Sequence, residues 1–330
     1  MNYVDGKFYP LIQYLRKLSK EDIFENIKYH FEHLDRNTQV AFEKFFDKFD
    51  YWGSLHSQLG DYEEIKRRTN SIYEHLEDFV WLYERLGDYR SKKMLYAILS
   101  NWYRYDFKEL KECFDNTYPD YFDLDLVSCD EQEVFVDLGA FTGDTVLSYL
   151  KMYQERYQKI YCYEVTEESF WMLKKNLCYY PNIEFRKKAV LDQEKKVSIE
   201  RSSEGLSANK VVLNVRAEAM DKTTNSKNGL DGNEDKNEEI EAVCLDQDIQ
   251  EKITMIKMDI EGSEMLALLG CKRHIQEEQP KLLLSVYHNH EDIWKIPRMI
   301  DEMQKGYRFY LRYHGGGVFP TEVTLIAIHD

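Results

Sequence analysis

The sequence predicts an α/β fold in which a mostly parallel sheet, its last strand antiparallel, follows an α-helical N-terminal region. Three observations predict it. Residues 1 to about 120 repeat apolar side chains at steps of three and four and carry no strand signal. From Val134 onward, short apolar runs alternate with amphipathic ones, as expected of strands covered by helices on both faces. The final two runs flank "HGGGVFP" too closely for a crossover helix, so they should pair antiparallel at the end of the sheet. The expected division is a helical region at 1–120 and a sheet-bearing domain at 121–330.

Within the helical region, "IFENIKYHFEHL" and "VAFEKFFDKFDYW" are loosely amphipathic. Ile72, Leu76, Phe79, Val80, Tyr83 and Leu86 mark a stronger helical face, with Gly87 as its stop. Met94, Leu95, Ile98, Leu99 and Trp102 mark the next. Such one-sided faces need a partner surface, and the second half of the chain is the one available. The predicted strands there are "VFVDL", "KIYCYEV", "IEFRKKAV", "ITMIKMDI", "KLLLSVYH", "YRFYLRY" and "EVTLIAIH". Residues 214–240, polar and without periodicity, read as a surface insertion or loop between the third and fourth runs.

Composition narrows the function classes. A chain of 330 residues that is 43% hydrophobic can bury a sizeable core. Sixty acids against 44 bases give a net charge of −16, which repels a phosphate backbone and makes nucleic acid a poor partner. No run approaches the roughly 20 apolar residues of a membrane span, and the first residues lack a secretion signal, so a cytoplasmic location is expected. The six cysteines are scattered without a C-x-x-C pair and read as reduced, mostly buried thiols. The 25 tyrosines read as half-buried packing residues.

The turn after the first strand run, "DLGAFTGDT", raises the question of a ligand. In an open parallel sheet the ligand sits beyond the carboxyl ends of the strands, and the first strand-to-helix turn faces it. Gly139 and Gly143 permit close backbone approach and positive φ, and the following helix points free N–H groups at the site. The turn lacks the G-x-G-x-x-G of dinucleotide sites, and Asp137 and Asp144 would repel a pyrophosphate. Two acids suit a ligand with cationic groups beside a neutral nucleoside, which S-adenosylmethionine offers. Its carboxylate would take backbone N–H groups near Thr142 and Gly143. Twenty-seven residues after Asp137, Glu164 ends the second run, where an acid accepts bonds from ribose hydroxyls.

The segments "FVDLGAFTGDTV", "CYEVTEESFWMLKKNL", "KKAVLD", "VCLDQDI" and "IKMDIEGSEMLALLG", in that order, resemble the FkbM-type family of S-adenosylmethionine-dependent O-methyltransferases. The resemblance runs from about Val134 to the C-terminus. It implies a Rossmann-like class I methyltransferase sheet, S-adenosyl-L-methionine as cofactor, and a sugar hydroxyl of a glycan or secondary metabolite as acceptor. Carried across, the cofactor motif falls on Asp137, Gly139, Ala140, Gly143, Asp144 and Thr145, with Glu164 as ribose acid and Ala189 near the adenine. Phe141, Thr142, Val165 and Asp259 complete the candidate cofactor-binding set. Val165 stands where many members have proline.

Methyl transfer to a weakly acidic hydroxyl needs a general base, a metal, or both. Asp259 and Glu261 end the run "ITMIKMDIEG" and, two apart, would share a face. His288, at the end of "KLLLSVYH", would join them as a base titrating near 6.5. The same group has the composition of a divalent-metal site, although base catalysis is the favoured reading. Arg312 and His314 are expected near the acceptor. A homo-oligomer, or a scaffold that recruits a partner through the N-terminal helices, is an alternative use of the helical region.

Overall fold

The structure is a computed structural model and describes residues 2–200, 210–212 and 238–329. Seven helices come first: α1 Asp5–Leu15, α2 Lys20–Glu32, α3 Arg36–Lys48, α4 Glu63–Glu74, α5 Leu76–Arg85, α6 Tyr89–Arg104 and α7 Phe107–Lys111. The apolar face read across residues 72–86 is split between two of them. Its members Ile72, Leu76, Phe79, Tyr83 and Leu86 are buried, but the backbone leaves the helical region at His75, with φ −121° and ψ 21°. Periodicity survives a one-residue break, so spacing alone could not place it. The Asp88 side chain accepts from Ser91 N–H at 2.7 Å and starts α6.

The second half alternates strands and helices: β1 Val134–Leu138, α8 Asp144–Tyr153, β2 Lys159–Tyr163, α9 Glu167–Leu177, β3 Ile183–Arg186, β4 Ala189–Val190, β5 Lys195–Glu200, β6 Lys210–Val212, β7 Glu238–Val243, α10 Leu245–Asp248, β8 Met255–Met258, α11 Glu264–Leu269, β9 Lys281–Ser285, α12 Asp292–Met303, β10 Tyr307–Tyr313 and β11 Val323–His329. The main sheet has the order β10-β11-β9-β8-β1-β2-β3. All its pairings are parallel except those of β11, which runs antiparallel to both β10 and β9. The last strand therefore does not form the edge. It inserts one place in from it, and β10 is left outermost.

A second sheet, ordered β4-β7-β5-β6, was not foreseen. The run "IEFRKKAV" breaks after Arg186, so its two ends serve different sheets. Of the polar stretch placed at 214–240, residues 214–237 lie outside the described residues, and 238–240 begin β7 rather than a loop.

The helical region shares its core with the sheet. Phe79, Leu82, Leu95 and Trp102 belong to one buried cluster with Val136, Ile256, Leu284, Phe309 and Leu325. Gly87 N–H donates to Phe309 O at 2.9 Å and carries the hydrogen-bond ladder past β10. Arg312 is buried here, with Nη2 2.7 Å from Asp88 Oδ2 and Nε 2.5 Å from Asp123 Oδ2. It therefore fastens the helices to the sheet instead of facing an acceptor. His290 makes a further tie to the helices: its Nε2 stands 3.1 Å from the buried Glu64, itself paired with Arg68 at 2.6 Å.

All six cysteines are free: Cys162, Cys244 and Cys271 are buried, Cys113 and Cys129 half-buried, and Cys178 exposed. Among the described residues no helix is long and apolar enough to cross a membrane.

Candidate active site

Strand order reverses between β1 and β8, and the turn after β1 opens there. Gly139 and Ala140 N–H both donate to Tyr163 O, at 3.1 and 2.9 Å, which ties the turn to β2. Gly139 sits at φ +78°, and a Cβ on it would lie 1.9 Å from Asp259 O, so only glycine lets β1 and β8 end this close together. Gly143, at φ +86°, precedes α8, and its N–H is already bonded to Ala140 O at 2.7 Å. Of the N–H groups near Thr142 and Gly143 expected to take a ligand carboxylate, this one is used to close the turn on itself.

A cleft enclosing about 1030 Å³ of empty space, part of it open to solvent, lies over these strand ends. Gly139, Phe141, Asp144, Thr145, Glu164, Val165 and Ala189 line it, and Tyr121, Asp259, Glu261 and Glu322 are also in its wall. Asp137, Ala140, Thr142, Gly143 and His288, although singled out from the sequence, are not in the lining.

Asp137 is set back from the cleft and fully buried. It is directly abreast of Lys257 on β8, and Lys257 Nζ lies 3.1 Å from Asp137 Oδ1 and donates to Gly139 O at 2.8 Å. Burial pushes the Asp137 carboxyl up to about 6, against the pull of Lys257. The lysine in "MIKMDI" was the signal missed, since a charge inside an apolar strand run calls for a buried partner.

Glu164 is buried and raised in pKa by that burial. Its Oε2 accepts from Phe141 N–H at 2.9 Å and its Oε1 from Thr166 N–H at 2.8 Å, so the carboxylate is held in one orientation at the cleft wall.

Beside the turn, β8 stops at Met258, and Glu261 adopts φ +56°. The two-residue alternation that was to place Asp259 and Glu261 on one face therefore does not extend to them. A turn brings them together around His288 instead. Asp259 Oδ1 is 3.5 Å and Glu261 Oε2 3.6 Å from His288 Nε2, while Glu264 Oε1 is 3.0 Å from Nδ1. Tyr121 donates to Asp259 Oδ2 at 2.9 Å, and Tyr51, from the helical region, donates to Glu261. Neither tyrosine was legible in the sequence, because each contact spans more than a hundred residues.

Three carboxylates around one imidazole decide its charge. Burial opposes the charged ring, but Glu264, Asp259 and Glu261 outweigh it and push His288 up to about 10. The reading of His288 as a free base titrating near 6.5 is corrected accordingly. For Asp259, burial is outweighed by Lys257 and His288, and its carboxyl is lowered. For Glu261, burial prevails and its carboxyl is raised. His314 stands 2.6 Å from Asp120, which lines the cleft, so it reaches the wall only through that residue.

A family whose sequence model is described as Methyltransferase FkbM domain matches residues 137–309, more than half of the chain. The chain belongs to the FkbM methyltransferase family. The FkbM domain thus begins at the buried Asp137 and includes the strand-end turn, Glu164, Ala189 and the cluster around His288. Among solved structures, the chain is similar to the methyltransferase FkbM from Methylobacillus flagellatus KT, at 22% identity and TM-score 0.61, over 79% of this chain and 62% of that one. It thus spans less than two thirds of that protein. It is also similar to an rRNA methylase from Streptococcus thermophilus, at 13% identity and TM-score 0.36, over 61% of this chain and 89% of that one. Fibrillarin from Aeropyrum pernix, described with natively bound S-adenosyl-L-methionine, matches at 11% identity and TM-score 0.34, over 62% of this chain and 70% of that one. No curated protein matches the chain.

Proposed function

We propose that this FkbM-family chain is an S-adenosylmethionine-dependent O-methyltransferase whose acceptor is a hydroxyl of a carbohydrate or a similarly polyhydroxylated metabolite. The observation that carries the reading is one cleft lined both by the glycine turn with Glu164 and by the carboxylates Asp259 and Glu261. The residues fit the cofactor. Gly139 leaves open the space a Cβ would fill, Glu164 presents an oriented carboxylate to ribose hydroxyls, and Val165 and Ala189 give an apolar flank for a base. The cofactor supplies an electrophilic methyl group on a sulfonium.

The chain's own residues then do the positioning and the proton work. Glu261 lines the cleft with a carboxyl raised by burial, which brings it toward the range where a base accepts a proton effectively at neutral pH. It takes the hydroxyl proton as the oxygen attacks the methyl carbon and the carbon–sulfur bond breaks. Asp259 stays ionised, and Tyr121 fixes its orientation. His288 holds both acids in place. Acidic groups in the wall, Asp120 and Glu322 included, favour a neutral or cationic acceptor over an anionic one.

The test is transfer of an isotopically labelled methyl group to a panel of neutral sugars, glycosides and amino sugars, with the products identified by mass spectrometry. A base-stable methyl ether supports the reading. Label found only on nitrogen or as a base-labile ester overturns the O-methyl assignment.

A further inference from the structure

We infer that the outer face of α9 is an interface with a second copy of this chain, in which two α9 helices lie antiparallel across a twofold axis with Trp171 at their centre. The inner face of the helix is already satisfied. Ser169, Leu173 and Leu177 are buried, and the two leucines share a core cluster with Val146 and Tyr149 of α8. The outer face is not. Trp171 is 59% exposed and Tyr179, just past the helix end, 91%, with the partly exposed Met172 beside them. Trp, Tyr and Met are the side chains that protein interfaces favour over the rest of the surface.

Scattered exposed aromatics are ordinary, so the choice of occupant rests on the charges around Trp171. The helix reads "EESFWMLKKNL", with Glu167 and Glu168 before the indole and Lys174 and Lys175 after it. The spacing is symmetric: Glu168 and Lys174 stand three residues from Trp171, and Glu167 and Lys175 four. A three-residue step falls about 60° short of a full turn and a four-residue step passes it by about 40°. Glu168 and Lys175 therefore flank the indole on one side, and Glu167 and Lys174 on the other. A twofold axis at Trp171 reverses position along the helix and keeps each side facing its own kind. It sets Glu168 against Lys175 of the partner subunit, and Glu167 against Lys174 of the partner subunit. The axial offset of each pair is only about 1.5 Å.

The surface thus complements itself, which is what a twofold contact between identical chains requires. Glu168, Lys174 and Lys175 have no ion pair among the described residues, and the two lysines lie over aromatic rings, 4.6 Å from that of Phe170 and 5.1 Å from that of Trp171. Glu167 is paired with Lys187, so the Glu168–Lys175 contact carries most of the register. Two acids and two bases also leave the helix without net charge, whereas the whole chain carries −16 and its acidic faces would repel one another. α9 follows directly on Glu164, Val165 and Thr166, so the paired helices continue from a cleft wall in each copy.

One helix pair covers less than the roughly 800 Å² per partner of a standard interface, so association should be weak, with Kd of about 10–100 µM. The experiment is sedimentation equilibrium of the full chain from about 5 to 500 µM. The mass should rise with concentration from 39.6 kDa toward twice that value. Trp171→Ser should remain monomeric throughout. Glu168→Lys and Lys175→Glu should each weaken association about tenfold or more, because symmetry applies every change twice. Mixing those two variants, or combining both changes in one chain, should restore it. Unfolding curves matching that of the unaltered chain show that the variants are folded. A constant 39.6 kDa mass for the unaltered chain overturns the interface, as does a dimer that persists in Trp171→Ser. Charge reversals that have no effect, or that are not rescued by mixing, overturn the antiparallel pairing.

Discussion

Lys257 Nζ lies 3.1 Å from Asp137 Oδ1, with both side chains sealed from solvent where β1 and β8 run side by side. The pair joins the two strands whose ends carry the candidate site. Removing one partner leaves the other charge buried without compensation. Lys257→Met should cost about 3–5 kcal/mol, and the double variant with Asp137→Asn should cost less than the sum of the two single changes. Urea unfolding of the four proteins measures this. Additive losses would mean that the two groups do not interact.

Gly139→Ala tests the close approach of the strand ends. Its Cβ would fall 1.9 Å from Asp259 O, whereas one on Gly60, also at positive φ, meets nothing within 4 Å. Gly60→Ala should cost only backbone strain, about 1–3 kcal/mol. Gly139→Ala should cost more and also weaken S-adenosylhomocysteine binding. Equal losses in the two variants, with binding intact, would contradict the packing argument.

Asp88 ties the helices to the sheet through Arg312. Burial opposes the Asp88 charge, but Arg312 and Ser91 outweigh it and hold its carboxyl below the usual 3.8. A lowered folded pKa adds stability that is present above the unfolded value and is lost as pH falls through the folded one. The unfolding free energy should therefore decline below about pH 4, and less steeply in Asp88→Asn. Parallel pH profiles for the two proteins would remove Asp88 from the account.

Tyr51 gives the helical region a direct part in the site. Its hydroxyl bond to Glu261 favours the ionised carboxylate. Tyr51→Phe removes a charge-assisted bond worth about 1.5–3 kcal/mol. The acid limb of the kcat profile should move to higher pH, with KM for the cofactor little changed. A fall in activity without movement of that limb would make Tyr51 a packing residue only.

How much of this was legible beforehand depends on distance along the chain. The β1 turn, Glu164 and Ala189 could be placed because each follows its strand by a few residues. The antiparallel pairing of β10 with β11 followed from the short connection between them. The insertion of β11 beside β9 did not, since nothing local in "EVTLIAIH" selects its second neighbour. Asp259, Glu261 and His288, expected to lie together, do so, but the charge on the ring was not legible. Glu264, which does most to hold charge on the ring, reads in the sequence as an ordinary first-turn helix acid. Likewise Asp137 was read as a ligand because its place in the motif is visible, while Lys257, which occupies it, is 120 residues away.

The most direct test of the central claim is a calorimetric titration of the chain with S-adenosylhomocysteine, run beside Glu164→Gln. The account predicts micromolar binding to the unaltered chain and at least roughly tenfold weaker binding to the variant, in line with a lost hydrogen bond to a charged group. No binding to the unaltered chain, or equal affinity in both proteins, would contradict it.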